Sequence, residues 1–237
     1  MFKTKTNIPL KLPPDNDWRN ETTWVTYENF WAKLGEAIAH VLFWPAINVK
    51  IIGANNLPLQ GACILAPNHI SNFDPVVVGM YIPRHSFFMT KVELFQNSFV
   101  GWYIRETGSF PVYRGERDEW AMNQAARVLE DGQVLCMFPE GTRSKTTQPK
   151  LKKGKLGTVK LALEYNVPIV PVAIWGTHNI SKKNFRCPIT IQIGEPLDVT
   201  KLAGSQEHDL HLSRDLTTVL MKRIAAMLPP ESRGMYA

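Results

Sequence analysis

The chain has 237 residues, of which 44% are hydrophobic and 20% charged, which excludes an intrinsically disordered protein and suits one sizeable domain. Its formal net charge of +6 favours anionic partners (nucleic acid, anionic lipid or phosphate-bearing small molecules) without choosing among them. No stretch reaches the roughly 18 apolar residues that a membrane-crossing helix needs, so we expect no simple spanning helix.

The first predicted elements are an arm and a helix. Residues 1–23 are polar and contain prolines, which predicts an irregular arm. An amphipathic helix is predicted over 27–42, because apolar residues recur at helical spacing before Pro45 ends the pattern. Its apolar stripe consists of Tyr27, Phe30, Trp31, Leu34, Ile38, Val41 and Leu42. Two interpretations stay open: the stripe packs on the core, or it lies in a membrane interface, where tryptophan is favoured.

Strands and helices alternate through the rest of the chain. Strands are predicted at 49–52, 62–66, 86–90, 109–113, 134–138, 169–175 and 189–193. Helices are predicted at 75–80, 92–104, 119–131, 154–165 and 209–228, and Gly132 is the expected residue after the third of these. The alternation predicts an α/β fold with a largely parallel sheet and helices on both faces. We therefore expect an N-terminal arm and helix at 1–47 and one domain at 48–237.

The segment NHISNFD, after the second predicted strand, contains His69 and Asp74. Ligands of open α/β sheets bind beyond the carboxyl ends of strands, so this loop is well placed for a functional site. A carboxylate that accepts a hydrogen bond from one imidazole nitrogen fixes the tautomer and leaves the other nitrogen free to act as a base. A structural interpretation stays open for Asp74, because Asp followed by Pro75 is a favoured N-cap and N1 pair.

The sequence lacks several other catalytic signatures. It contains no G-x-S-x-G elbow, no H-E-x-x-H motif, no Walker A loop and no G-x-G-x-x-G fingerprint. We therefore expect no metal site, and a histidine base would act on a substrate hydroxyl or on water.

Two further stretches follow predicted strands. The segment FPEGTRS follows a buried strand, and its Gly141, Thr142 and Arg143 can present backbone N–H groups, a hydroxyl and a guanidinium to an anion. Arg114 follows the strand in GSFPVYR. The alternatives are an ordinary turn for the first stretch and a surface arginine for the second, while the lysines at 150–155 are predicted to form a solvated basic face.

The strand predicted at 169–175 contains Pro171 and follows Pro168. Because proline removes a donor from the ladder, we expect this strand to be irregular or to lie at an edge of the sheet. The two prolines either begin a core strand or form an apolar wall near the site.

Taken in order, the segments NHISNFD, GSFPVYR, FPEGTRS and VPIVPV resemble the 1-acylglycerol-3-phosphate acyltransferase family of glycerolipid acyltransferases. The resemblance covers about residues 60–180 and implies a mixed sheet flanked by helices, with His69 as general base and Asp74 as its partner. It also implies that the acceptor's phosphate is bound by Arg114, Glu140, Gly141, Thr142 and Arg143. Pro168 and Pro171 correspond to a motif on the acyl-donor side.

By this resemblance, the protein is expected to transfer an acyl group from acyl-CoA or acyl-carrier protein to the sn-2 hydroxyl of 1-acyl-glycerol-3-phosphate. The product is phosphatidate, for phospholipid biosynthesis. We expect no cofactor beyond this co-substrate, no nucleic-acid partner, and a peripheral position on the cytoplasmic face of a membrane. Three alternatives stay open: another lysolipid or lipid-like acceptor, a non-catalytic lipid-binding protein, and a thioesterase in which His69 activates water.

Overall fold

A seven-stranded sheet lies at the centre of the protein. The structure is a computed structural model and describes residues 17–114, 118–144, 146, 148–180 and 185–237. The strands are β1 (Ile47–Ile52), β2 (Cys63–Pro67), β3 (Ser86–Lys91), β4 (Ser109–Val112), β5 (Val134–Cys136), β6 (Ile169–Trp175) and β7 (Cys187–Ile193). The α-helices are α1 (Phe30–Phe43), α2 (Asp74–Tyr81), α3 (Ser98–Glu106), α4 (Glu119–Glu130), α5 (Gly157–Tyr165), α6 (Val199–Ala203) and α7 (Leu210–Met227).

The strand order is β1-β7-β6-β2-β5-β3-β4, and all neighbours are parallel except the antiparallel pair β6 and β7. The predicted mixed, largely parallel sheet is therefore confirmed. Parallel strands end at the same edge of a sheet, so the loops after β2, β3, β4, β5 and β6 lie along one edge. We call this the carboxyl edge.

Each central strand contributes to two apolar layers, because successive side chains point to opposite faces. Ile64 of β2 belongs to the layer that contains residues of α4, α5 and α7. The next residue, Leu65, belongs to the layer that contains residues of α1 and α2. A strand covered on both faces needs a continuous apolar run, which is what β2 has.

The predicted helices are present, with differences at their ends. The helix predicted at 92–104 is divided into a 3-10 turn, Val92–Phe95, and α3. Helix α4 ends as predicted before Gly132, whose φ of +74° lies in the left-handed region that favours glycine. The short helix α6 was not predicted, because five residues are too few for a helical pattern to be recognised.

Strand β6 lies inside the sheet, between β2 and β7, so of the two predicted alternatives the edge position is wrong and the irregular strand is what the structure has. Pairing with β7 begins at Val172, and Ile169 forms a separate bridge with Leu197. Pro171 lies between these two contacts, where no donor is required, and its carbonyl accepts the N–H of Gly194. A proline fits an interior strand here because the ladder is interrupted at its position.

Residues 1–16 of the expected arm lie outside the described residues, but the segment after them is packed. Trp18–Glu21 forms a 3-10 turn, and the side chain of Arg19 is 4% exposed. The Arg19 guanidinium pairs with Asp17 and Asp118, each at 2.6 Å. Apart from this turn, residues 17–29 contain no helix or strand, and the buried arginine with its two carboxylate partners attaches the turn to the domain.

Helix α1 turns small residues towards the domain and its apolar stripe towards solvent. Its buried residues are Ala32, Gly35 and Ala39. Every residue of the predicted stripe is exposed, from 38% for Leu34 to 75% for Val41. The interpretation that the stripe packs on the core is therefore wrong. Among the residues described, no helix combines the length and the apolar character needed to cross a bilayer.

Candidate active site

The predicted site residues come from loops at the carboxyl edge. His69 follows β2, Arg114 follows β4, and the segment 140–143 follows β5. Because these strands are parallel, loops that are far apart in the sequence meet at one edge of the sheet.

His69 and Asp74 form a buried pair at this edge. His69 Nδ1 lies 2.8 Å from Asp74 Oδ2, and His69 is 7% exposed whereas Asp74 is fully buried. An ionised carboxylate only accepts hydrogen bonds, so Nδ1 is the donor and Nε2 is left for a substrate. The His69 ring stacks on Phe138, with ring centroids 4.2 Å apart, and this contact holds the ring's orientation.

Asp74 does not cap α2. The N-cap residue is Phe73, and no side chain caps the helix. Asp74 Oδ2 instead accepts the backbone N–H groups of Ile70 and Ser71, both at 2.7 Å. The N-cap interpretation is therefore wrong: the carboxylate points back into the loop and closes it around His69.

Thr177 also contacts this pair, and the sequence analysis missed it. Its Oγ1 donates a hydrogen bond to Asp74 Oδ1 at 2.6 Å, and both residues are fully buried. Thr177 follows β6, the neighbour of β2, so its loop reaches the carboxyl edge. The available signal was a hydroxyl residue after Gly176 at the end of a buried strand, which many ordinary loops share.

Glu140 is buried and holds two loops together. Its Oε1 accepts the N–H of His69 at 2.6 Å, and its Oε2 accepts the N–H of Lys152 at 2.8 Å. Burial raises the pKa of Glu140 to about 7, although the two N–H donors act in the opposite direction. The resemblance implied a phosphate-binding role for Glu140, whereas the structure places its carboxylate against backbone donors. A carboxylate in that position links the loop that carries His69 to the segment that carries Lys152.

A cavity of about 200 Å³, which we call the histidine cavity, opens beside His69. Its lining includes His69, Arg114, Gly141 and Lys155, together with apolar side chains such as Met137. The structure thus brings three of the predicted residues together and adds Lys155. The sequence did not single out Lys155, because several lysines lie close together and only the fold determines which of them lines the cavity.

Besides Asp74 and Glu140, which bond to His69, four predicted residues do not line the histidine cavity. Thr142 and Arg143 belong to the same loop as Gly141 but do not line it. Pro168 is at the amino end of β6, where its carbonyl accepts the N–H of Ile64, so it lies at the opposite edge of the sheet. Pro171 is buried within β6. The structure therefore supports the plainer interpretation of the two prolines, as the beginning of a core strand.

A second cavity, of about 180 Å³, lies between α1, α2, α3 and β3. We call it the apolar cavity, because its lining is dominated by side chains such as Ala39, Val76 and Ile104. Pro75, which directly follows Asp74, also lines it. The residue that follows Asp74 in the chain thus forms part of the wall of the apolar cavity.

One group of described residues offers three possible metal ligands, namely Glu28, Glu36 and His85. His85 Nδ1 lies 2.9 Å from Glu36, and Lys33 lies 3.3 Å from Glu28, where its charge competes with that of a cation. His85 directly precedes β3, so this group lies at the amino end of the strand and is separate from the carboxyl edge.

Comparisons with known proteins match the domain that carries these loops. The family model described as Acyltransferase matches residues 48–175, more than half of the chain. The 1-acyl-sn-glycerol-3-phosphate acyltransferase of Bacillus subtilis (strain 168) is 30% identical over 150 residues, which are 63% of this chain and 73% of that protein. The protein of the same name from Saccharomyces cerevisiae is 29% identical over 164 residues, 66% of this chain but 54% of its own length.

The fold is also similar to a solved structure. The crystal structure of the 1-acyl-sn-glycerophosphate (LPA) acyltransferase PlsC from Thermotoga maritima superimposes with a TM-score of 0.63 and is 27% identical. The superposition covers 80% of this chain and 76% of that one.

Proposed function

Because the chain belongs to the acyltransferase family, we propose that it transfers a fatty acyl group from a thioester to the sn-2 hydroxyl of 1-acyl-glycerol-3-phosphate. The relatives named for this acceptor support the choice of substrate. The observation that carries the proposal is the buried pair of His69 and Asp74 beside a cavity that also contains Arg114. A base and a cation in one cavity suit an acceptor that bears both a hydroxyl and a phosphate.

The proposed reaction is a direct transfer. The Nε2 of His69 takes the proton from the acceptor hydroxyl while its oxygen forms a bond to the thioester carbonyl carbon. The positive charge that develops on the ring is stabilised by Asp74. The carbon–sulfur bond then breaks, and the proton passes from Nε2 to the thiolate, which gives a free thiol and the new ester. A thiolate leaves readily, since a cysteine-like thiol has a pKa of about 8.5.

A covalent acyl-enzyme is not part of this proposal. All three cysteines are buried, and neither a serine nor a cysteine is among the described lining residues of the histidine cavity. Burial also raises the pKa of Cys63, to about 11. Direct transfer instead relies on holding both substrates in one site, which removes much of the entropic part of the barrier.

The donor is proposed to be acyl-CoA or acyl-carrier protein, which present the same kind of thioester. The apolar cavity is consistent with a fatty acyl chain on either carrier, because it is lined mainly by apolar side chains and because Pro75, the residue after Asp74, is part of its wall. The thioester carbonyl would then lie between the apolar cavity and His69, where the acceptor hydroxyl attacks it.

The protein is proposed to act as a peripheral protein on the cytoplasmic face of a membrane. The exposed stripe of α1 supports this position, because a row of apolar and aromatic side chains on a short helix suits the interface of a bilayer. Trp31 of the stripe lies 5.7 Å, between ring centroids, from Trp102 of α3, which is also exposed. The net charge of +6 fits an anionic leaflet.

The first test follows the release of free thiol from palmitoyl-CoA, with and without lysophosphatidate in detergent micelles. The variant His69→Ala should lose roughly 10²–10⁴-fold in rate, because it removes the general base. His211→Ala is the matched control: His211 also pairs with an aspartate, Asp215 at 3.1 Å, but its side chain is 80% exposed on α7. The control should keep the full rate.

The possible results separate the candidate functions. Thiol release that requires both lysophosphatidate and His69 supports the acyltransferase. Release without any acceptor identifies a thioesterase. Lipid binding that persists in His69→Ala, with no turnover of CoA or carrier-protein thioesters in the wild type, identifies a non-catalytic lipid-binding protein.

A further inference from the structure

We propose that Tyr236 is a positioning residue of the active site, although it lines neither the histidine cavity nor the apolar cavity. It acts through residues 151–155, which we call the linking segment because they contact both the turns after α7 and the loop that follows β5. The inference rests on the proposed function, since the rate that Tyr236 affects is that of acyl transfer. The matched family model ends at residue 175, so Tyr236 lies outside it.

The linking segment contains no helix or strand, so its shape depends on what its backbone N–H groups bind. Two of these groups donate to the loop that follows β5. The N–H of Lys152 donates to Glu140 Oε2 at 2.8 Å, and that of Lys155 donates to a carbonyl of the same loop at 2.7 Å. The other oxygen of Glu140 accepts the N–H of His69 at 2.6 Å. The position of Lys152 therefore affects the loop that carries the proposed base.

Two 3-10 turns after α7, at 230–232 and 234–236, bind the opposite side of the linking segment. We call them the C-terminal turns. The N–H of Leu151 donates to a carbonyl of the first turn at 2.9 Å. The N–H of Gly154 donates to the hydroxyl oxygen of Tyr236 at 3.2 Å. The linking segment is thus held between the C-terminal turns and the loop of Glu140.

The packing around the linking segment is close. A Cβ added to Gly234 would lie 2.2 Å from the carbonyl oxygen of Leu151. A Cβ added to Gly154 would lie 2.7 Å from Met221 Cγ of α7. Because a close-packed segment has no free space in which to absorb a shift, a movement of Gly154 is passed along the backbone to its neighbours.

His69 depends on this arrangement because two carboxylates fix it. Asp74 holds its ring, and Glu140 holds its backbone N–H. A misplacement of about 1 Å, even one caused by a change far from the chemistry, can lower a rate by about 10²-fold. The hydroxyl of Tyr236 therefore helps to position the base through the linking segment and Glu140.

The first variant is Tyr236→Phe, which removes the hydroxyl and keeps the ring that packs on the apolar layer. In the thiol-release assay kcat should fall by about 3–10-fold, which corresponds to one hydrogen bond between neutral groups. The KM values for the thioester and for lysophosphatidate should stay within about twofold, because the lost interaction does not contact either substrate. Tyr165→Phe is the matched control: Tyr165, at the end of α5, is half-buried against the same layer, and this variant should keep the full kcat.

Hydrogen exchange separates positioning from a general loss of stability. The N–H of His69 is protected by its bond to Glu140, so it should exchange at least about 3-fold faster in Tyr236→Phe than in the wild type. Exchange in β1, at one edge of the sheet, should be unchanged. Equally accelerated exchange in β1 would mean that the variant is only less stable, and would overturn the inference.

A double-variant cycle tests the route through Glu140. Once Glu140→Gln is present, Tyr236→Phe should lower kcat by less than about 1.5-fold more, because the link that it acts through is already broken. The full loss on both backgrounds would overturn the inference.

Gly234→Ala reaches the linking segment at its other end. Its Cβ would displace Leu151, so kcat should fall further than in Tyr236→Phe. Gly132→Ala is the control for backbone strain, because Gly132 also has a positive φ, +74° against +60° for Gly234, but a Cβ there would meet no atom within 4 Å. Equal losses in the two glycine variants would contradict transmission through the linking segment.

Hydrogen exchange also keeps this inference distinguishable from the proposed function, since it needs no turnover. Faster exchange at His69 in Tyr236→Phe, with no acyl transfer by the wild type, supports the link to Tyr236 and refutes the proposed function. Wild-type exchange and wild-type kcat in Tyr236→Phe, in a protein that does transfer acyl groups, overturn the positioning role and leave the proposed function intact.

Discussion

The hydroxyl of Thr177 offers the sharpest test of the buried pair, because a single atom can be changed with little change in shape. Thr177→Val replaces the hydroxyl by a methyl group of similar size. In the wild type this hydroxyl is the donor to Asp74 Oδ1 at 2.6 Å, whereas Oδ2 is bound by His69 and by two backbone N–H groups. The variant should therefore leave one carboxylate oxygen buried without a donor.

The expected loss follows from the burial of both partners. A hydrogen bond to a charged group contributes about 1.5–3 kcal/mol, and neither Thr177 nor Asp74 is exposed to water that could replace the donor. Each kcal/mol shifts Tm by about 2–4 °C in a domain of this size, so the variant should melt roughly 3–12 °C lower. The rate should fall by up to about 100-fold, because a displaced Asp74 misplaces the His69 ring.

The assay combines thermal unfolding with the thiol-release rate in the same preparation. Thr177→Ser keeps the donor and should recover most of the rate. Thr218→Val is the control, since Thr218 donates to a carbonyl on the exposed side of α7. If Thr177→Val melts within about 1 °C of the wild type and keeps its rate within twofold, Thr177 has no part in positioning Asp74.

Three further predictions concern other parts of the structure. Glu140→Gln should lose about 1–3 kcal/mol of stability, because its amide group would face a backbone donor. Since the pKa of Glu140 is raised to about 7 from 4.5, the native state holds the extra proton between these values, so wild-type stability should fall as pH rises through this window. The Glu140→Gln variant should lose this dependence of stability on pH. Leu42→Glu should bind anionic vesicles at least about 10-fold more weakly in flotation assays, with an unchanged Tm, because this side chain is 67% exposed. Gly141→Ala should lose about 1–2 kcal/mol and much of the activity, since its Cβ would displace Lys155.

Each of these changes has a matched control. Glu207→Gln removes an exposed carboxylate, so a flattened pH profile in that variant would contradict the assignment to Glu140. Leu202→Glu alters another exposed leucine, 52% accessible on α6, and equal loss of vesicle binding would rule out a specific surface on α1. Like Gly141, whose φ is +66°, Gly61 has a left-handed backbone, with φ +79°, but a Cβ added there would have no atom within 4 Å. Gly61→Ala therefore measures the cost of backbone strain alone, and any larger loss in Gly141→Ala comes from the displaced lysine.

The sheet was predictable because the information lies in short stretches. Strands such as β2 and β6 are apolar runs bounded by glycine, proline or asparagine, and their order along the chain fixes a parallel sheet. His69 and Asp74 were found for the same reason: they are five positions apart in one loop. The exposure of the α1 stripe was not predictable, because a helical period shows an apolar face but not what covers it.

The contacts of Glu140 and Thr177 that hold the site together could not be predicted, because they join segments that are distant in the sequence. The contact between Glu140 and His69 spans 71 positions, and that between Thr177 and Asp74 spans 103. Only the parallel order of β2, β5 and β6 brings these loops together. A buried acid or hydroxyl gives no periodic pattern that could mark it in advance, so its partner emerges only from the fold.

The pairing of the edge strand β1 sets an order of events during synthesis. Ile47 of β1 pairs with Cys187 of β7, about 140 positions later. At roughly 5–20 residues per second, β1 is synthesised about 7–28 s before its partner. During that interval α1, which comes just before β1, already carries its apolar stripe, so the proposed binding to a bilayer would not have to wait for the completed sheet. Chains that stop before β7 would leave β1 unpaired and prone to aggregation.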